Sequence, residues 1–151
     1  MAKKWTEDSA LLESITGNLF EALPLLPKRL VRVDAITREF DMPFSHIQIM
    51  CMLQGGSMSI GEISRNLGIA KPNITPLVDR LFEAGFVDRQ HDENDRRVVN
   101  IVLMPAGEEK LAAIRATISR QIQTQSDGLS VSEFRDLNDS LSSVVRILSS
   151  L

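Results

Sequence analysis

The chain has 151 residues, 43% hydrophobic and 25% charged, with a net charge of −3, which fits one domain, or one domain plus a dimerisation element. No apolar run approaches the roughly 20 residues that span a membrane. The single cysteine, Cys51, excludes an intrachain disulfide framework, and one Cys with two His leaves a zinc site short of ligands.

The start, MAKKWTEDSALL, has two lysines and no apolar signal core behind them. No secretory signal is expected, and the protein is placed in the cytoplasm. Over residues 5–22, Leu11, Leu12, Ile15, Leu19 and Phe20 recur at helical spacing, with Leu23 next. Pro24 and Pro27 each remove a backbone donor, which predicts a break near Leu23 to Leu26. A second helix is then expected over 27–40, stopped by Asp41-Met42-Pro43. Ser45-His46-Ile47-Gln48 reads as a capping box with Ser45 as N-cap, and Gly55-Gly56 ends that helix. Ser59-Ile60-Gly61-Glu62 is a second capping box. Its short helix points Ile60, Ile63 and Leu67 inward and closes at Gly68.

The next helix has an inner stripe of Ile74, Leu77, Val78, Leu81 and Phe82 and stops at Gly85. Pro72 suits the first helical position. Pro76 is comfortable only if the helix begins late, with Asn73 as N-cap; otherwise it leaves the Pro72 carbonyl unpaired within the helix, facing water or a ligand, so an irregular first turn is expected. Residues 87–90 and 98–103 read as strands, joined by the charged loop His91-Asp92-Glu93-Asn94-Asp95-Arg96-Arg97. Pro105 opens a long helix to about Ser126 with Leu111, Ile114, Ile118 and Ile122 inward. Ser130-Val131-Ser132-Glu133 is a third capping box. It opens a last helix carrying Phe134, Leu137, Leu141, Val144, Val145 and Leu148.

The fold class expected is mostly α with a small β-hairpin wing. A winged helix-turn-helix occupies 44–104, and long helices at 1–43 and 105–151 form a dimerisation region. Amphipathic helices with little core of their own bury their stripes on each other and on a second subunit. The second helix of such a motif can enter the DNA major groove. Charge does not advertise this. Residues 55–100 hold Arg65, Lys71, Arg80, Arg89, Arg96 and Arg97 against Glu62, Asp79, Glu83, Asp88, Asp92, Glu93 and Asp95. The basic residues must therefore be sorted onto one face. The balance leaves open a second reading, a winged-helix protein-interaction module that does not bind DNA.

LFEAGFVDRQHDENDRRVVNIVLMPAG, with IGEISRNLGIAKPNITPLVDRL in front of it, resembles the multiple-antibiotic-resistance regulator (MarR) family over about residues 44–110. The carrying features are a helix ending in Leu-x-x-x-Gly, a strand, Asp-x-x-Asp-Arg-Arg and a second strand. Met104 departs from the family's Thr or Ser at the helix cap, and Asn94 from a basic residue at the wing tip. The resemblance implies a homodimeric winged-helix transcriptional regulator, not an enzyme. Such proteins bind pseudo-palindromic double-stranded DNA, usually as repressors, and are often released by small aromatic acids or by thiol oxidation. No cofactor or metal is implied.

Asn73, Thr75, Pro76 and Arg80 lie opposite the inner stripe. Asn can pair with adenine, Thr with a base edge or methyl, and Arg with guanine or phosphate. Asn73 as a plain helix cap is the competing reading. Lys71, Ser57 and Arg65 are candidates for phosphate, or solvated surface. Asp79 is expected to pair with Arg97 and so orient the wing, leaving Arg96 freer to reach DNA; otherwise the wing is a solvated charged turn. Cys51, among Ile47, Met50 and Leu53, is read as a buried structural residue. His46 could line a ligand pocket, but a surface or satisfied histidine near a helix start is the plainer reading.

Overall fold

The structure, a computed structural model, describes residues 8–151; the expected helix start at Trp5 lies outside the described residues. The elements in order are α1 Ser9–Arg29, α2 Val33–Glu39, α3 Phe44–Leu53, β1 Met58–Ser59, α4 Ile60–Leu67, α5 Lys71–Glu83, β2 Val87–His91, β3 Val99–Leu103, α6 Pro105–Gln125 and α7 Val131–Leu148. They fall into two compact units. One runs up to Arg32 and resumes over Ser119–Leu151; the other is Val33–Ile118. The second unit is wider than the 44–104 expected for the motif: it takes in α2 and the first part of α6.

Within Val33–Ile118 the core is built from Ile49 and Met50 of α3, Ile63 of α4, Ile74, Val78 and Leu81 of α5, and Val87 and Ile101 of the sheet. Leu111 and Ile114 of α6 are also buried. The sheet order is β1-β3-β2, all antiparallel, with Val87 opposite Leu103, Arg89 opposite Ile101 and Met58 opposite Ile101 on the other side. β1 is two residues long, too short for alternation to show it in the sequence. The Ser59 capping box forms: its side chain accepts from the Glu62 N–H, and Glu62 accepts from the Ser59 N–H at 2.7 Å. Gly68 closes α4 in the left-handed region at φ 64°, where a Cβ would be strained.

Two expected starts move. α3 begins at Phe44 with Pro43 as its cap and no side-chain cap bond, so the Ser45 capping box does not form. The fixed φ of Pro43 holds the cap residue extended, at φ −57° and ψ 144°, and the helix starts directly behind it. α5 begins at Lys71 with Ala70 as cap, not late at Asn73. The Ala70 carbonyl accepts from Asn73 at 2.8 Å and Ile74 at 3.3 Å, which closes the first turn, and the Pro72 carbonyl is left without its usual donor because Pro76 has no N–H. Pro76 sits inside the helix.

In the other unit, α1 is unbroken through Pro24 and Pro27. Both prolines are exposed, and so are Phe20 and Leu23 four residues before them. Water can therefore take up the two carbonyls that lose their donors. The break falls later, after Arg29, where the Leu30 and Val31 N–H groups both reach the Leu26 carbonyl. The Ser130 capping box of α7 forms as read. Neither α1 nor α7 contains a buried residue. Their stripes, including Leu12, Ile15, Leu19 and Phe20, then Phe134, Leu141, Val144, Val145 and Leu148, are exposed. Among the described residues no helix is long and apolar enough to cross a membrane.

Candidate nucleic-acid interface

Burying Ile74, Val78 and Leu81 turns the opposite side of α5 outward. Lys71, Asn73, Thr75, Pro76 and Arg80 are all exposed there. Asn73 is in the first turn and is not the cap. Among the described residues no protein group takes up its side-chain amide. The Thr75 hydroxyl donates to the Lys71 carbonyl at 3.2 Å, so its oxygen can still accept. Ser57 is exposed just ahead of β1.

Gly61 reveals a feature that sequence reasoning missed. A Cβ there would lie 3.2 Å from Lys71 Cε, 3.3 Å from Lys71 Nζ and 3.8 Å from Arg65 Nη1. The two cationic ends therefore come together over the first turn of α4, in the space a side chain would fill. Like charges brought together repel, and an anion between them turns that repulsion into attraction. The position suits an anion such as a phosphate group.

The acids of this region are mostly engaged by the fold. Glu62 is held by Ser59, whose backbone N–H and hydroxyl keep its carboxyl below the usual carboxylate range. Asp92 accepts from the Asn94 and Asp95 N–H groups at 2.9 and 3.1 Å, which lowers its pKa, and from the Asn100 amide at 3.3 Å. Asp95 accepts from the Arg97 N–H at 3.0 Å, and Asp88 from the Arg89 N–H at 2.8 Å. The wing loop is thus wound on its own carboxylates, and the Arg96 and Arg97 side chains are left exposed at its tip. The bulk charge balance conceals a local sorting.

Asp79 does not pair with Arg97. Its partner is Arg89, whose guanidinium bonds Asp79 and lies over the Phe82 ring at 5.2 Å. The reason is position. Arg89 is the third residue of β2, which leaves α5 directly through Gly85, whereas Arg97 precedes β3 at the far end of the hairpin. Phe82, read as part of the inner stripe, is instead exposed beneath that guanidinium. Nothing in local periodicity joins a helix residue to a strand residue, so Arg89 had no signal as the partner. The two side chains retain 38% and 45% of their exposure, so the pair fixes geometry more than it adds stability.

Two further readings are corrected. His46 is buried, with 4% exposure, and its Nδ1 has no partner among the described residues. α3 packs against α5 and β3, which carries this first-turn residue into the core. Burial first, and then the Arg80 charge, hold its imidazole below the ordinary 6.5. A histidine whose folded pKa is depressed leaves stability intact above 6.5. As pH falls through 6.5 toward the folded value, the unfolded chain takes up the proton first and stability is lost. Thermal unfolding should therefore move to lower temperature between pH 7.5 and 5.5, and His46→Gln should remove that dependence. A wild-type midpoint that stays level across the interval would contradict this placement. Cys51, read as buried, is exposed. Its thiol is nevertheless pushed up by partial burial, with Arg115 opposing, so it is mainly protonated at neutral pH and a poor redox nucleophile. Among the described residues no group of three or more His, Cys, Asp or Glu could hold a metal ion.

Comparison with known proteins agrees with this geometry. Residues 48–99 match the model of the MarR family. The chain is 41% identical over 58 residues to the uncharacterised HTH-type transcriptional regulator YcgE of Bacillus subtilis, covering 38% of each chain. It is 31% identical over 71 residues to the HTH-type transcriptional repressor MdtR of the same organism, covering 44% of this chain and 46% of that one. The match thus spans less than half the length of these curated relatives. The crystal structure of RV1404 from Mycobacterium tuberculosis superposes with a TM-score of 0.77 at 18% identity, over 91% of this chain and 94% of that one. That likeness shows the fold, a winged helix-turn-helix flanked by helices. Over residues 48–99, the segment built around α4, α5 and the β2–β3 wing, the chain is similar to the MarR family.

Proposed function

We propose that the protein is a homodimeric, sequence-specific DNA-binding transcriptional repressor released by a small, aromatic-acid type ligand. The observation that carries the DNA reading is the convergence of Lys71 and Arg65 over Gly61 beside the outward face of α5. In this reading Asn73, Thr75 and Arg80 meet base edges and Pro76 packs against the groove. Lys71, Arg65 and Ser57 hold phosphate, and Arg96 and Arg97 reach the flanking backbone or minor groove. Two such units on a pseudo-palindromic operator would place their α5 helices about 34 Å apart, one turn of DNA. Residues 44–104 then serve as the DNA-binding part, and 1–43 with 105–151 as the dimerisation region. The exposed stripes of α1 and α7 support the pairing of two copies. The name of MdtR supports repression.

The ligand reading is supported by a cleft of about 460 Å³ in the first unit, lined by Leu25, Leu26, Arg29, Gln125, Leu129 and Leu137. That size suits a small organic molecule, and Arg29 is a cation for its acid group.

Selection of bound sequences from random DNA tests the function. A pseudo-palindrome with fixed half-site spacing should emerge. On that sequence Asn73→Ala should weaken binding by roughly 10-fold or more, and Arg97→Ala by several-fold, with the dimer still folded. Binding should weaken steeply with salt despite the net charge of −3. Failure to enrich any sequence, with binding flat in salt, would rule out DNA as the partner.

A further inference from the structure

We propose that Lys110 is a positioning residue for the recognition helix, an ammonium held between two phenyl rings that locks the exit of α5 onto α6. Three residues at the start of α6 meet one residue, Phe86, which follows the turn at Gly85 that ends α5. The Met104 N–H donates to the Phe86 carbonyl at 2.9 Å. Gly107 approaches the same carbonyl so closely that a Cβ would lie 2.4 Å from its oxygen. Lys110 Nζ lies 5.6 Å from the Phe86 ring centroid and 5.4 Å from that of Phe40, the residue after α2. Met104, Gly107 and Lys110 are three residues apart and so share one side of the helix start.

The first two contacts fix a single point, the Phe86 oxygen, and a body held at one point can still pivot. The ammonium adds a second point, farther along α6 and on the ring instead of the carbonyl. Its other ring, Phe40, ties α2 into the same arrangement. Ring faces attract a cation within about 6 Å of their centroids. Among the described residues no carboxylate lies within ion-pair distance of Lys110, so the rings are its partners. Nothing in the proposed DNA contacts uses this residue. Its work is to hold the angle at which α5 leaves α6.

The test uses the full chain with Lys110→Met, which keeps the length and loses the charge, and Lys110→Arg, which keeps the charge. Without DNA, amide hydrogen exchange over residues 81–87 should quicken about 3- to 5-fold in Lys110→Met and stay within about 2-fold in Lys110→Arg. Phe40→Leu removes one ring and should give a smaller change of the same sign. With DNA, which rests on the function proposed above, Lys110→Met should bind the selected operator about 5-fold more weakly, with affinity for random duplex unchanged. Equal loss on both DNAs would make Lys110 a phosphate contact and overturn the proposal. So would exchange that does not change. If the wild-type chain selects no sequence, the DNA reading fails and the exchange result alone decides the role of Lys110.

Discussion

Leu141→Asp combined with Leu148→Asp should leave the chain monomeric at micromolar concentration and reduce operator binding by at least about 100-fold. Both residues are exposed on α7, a helix with no buried residue. In the symmetric dimer proposed above each substitution is met twice. Losing one buried leucine costs about 1.5–3 kcal/mol. Four losses therefore exceed about 6 kcal/mol per dimer, a change of more than about 10⁴ in the dissociation constant. A monomer grips one half-site, so affinity for the full operator falls with the dimer. Sedimentation equilibrium and gel shift on the same samples check the two halves of the claim. A doubly substituted chain that remains dimeric and binds normally would remove α7 from the interface.

Gly107→Ala should destabilise the protein by about 3 kcal/mol, the upper end for overpacking. For a chain of this size that is a fall of roughly 6–12 °C in Tm. The added methyl would meet the Phe86 carbonyl oxygen at 2.4 Å and Leu103 Cδ1 at 2.6 Å. The leucine can change rotamer. The carbonyl cannot yield easily, because it also accepts from Met104. α6 would have to lift from the end of α5, so the loss of stability should come with weaker operator binding. Thermal unfolding followed by circular dichroism measures the first effect. An unchanged Tm would mean that the α6 start is not packed as described.

The sequence carried the motif well because its signals are local. Ser59 and Ser130 sit three residues before Glu62 and Glu133, and both capping boxes form. Ile74, Val78 and Leu81 keep helical spacing and are buried. The misreadings share a cause. Pro24 and Pro27 suggest a helix break and Pro76 a late helix start, yet each lies inside a helix on an exposed face where a carbonyl without a donor can meet water. The Asp79–Arg89 pair, the Lys71–Arg65 convergence and the burial of His46 depend on how separate elements pack. No periodicity within one element encodes them. Net charge has the same limit: a count cannot show that Asp92 and Asp95 fold back onto loop N–H groups while the Arg96 and Arg97 side chains stay exposed.

The start of α5 has one more consequence. A helix N-terminus ordinarily cradles an anion with its unpaired backbone N–H groups. Here Pro72 has none, and that of Asn73 is turned back to the Ala70 carbonyl. The backbone cradle is largely spent, and a phosphate at this end depends on the flexible ends of Lys71 and Arg65. In the proposed complex, grip on the sugar-phosphate chain can then be strengthened or weakened by exchanging two side chains, while the proposed reading surface of Asn73, Thr75 and Arg80 keeps its shape. On that proposal, strength of binding and choice of sequence can vary independently.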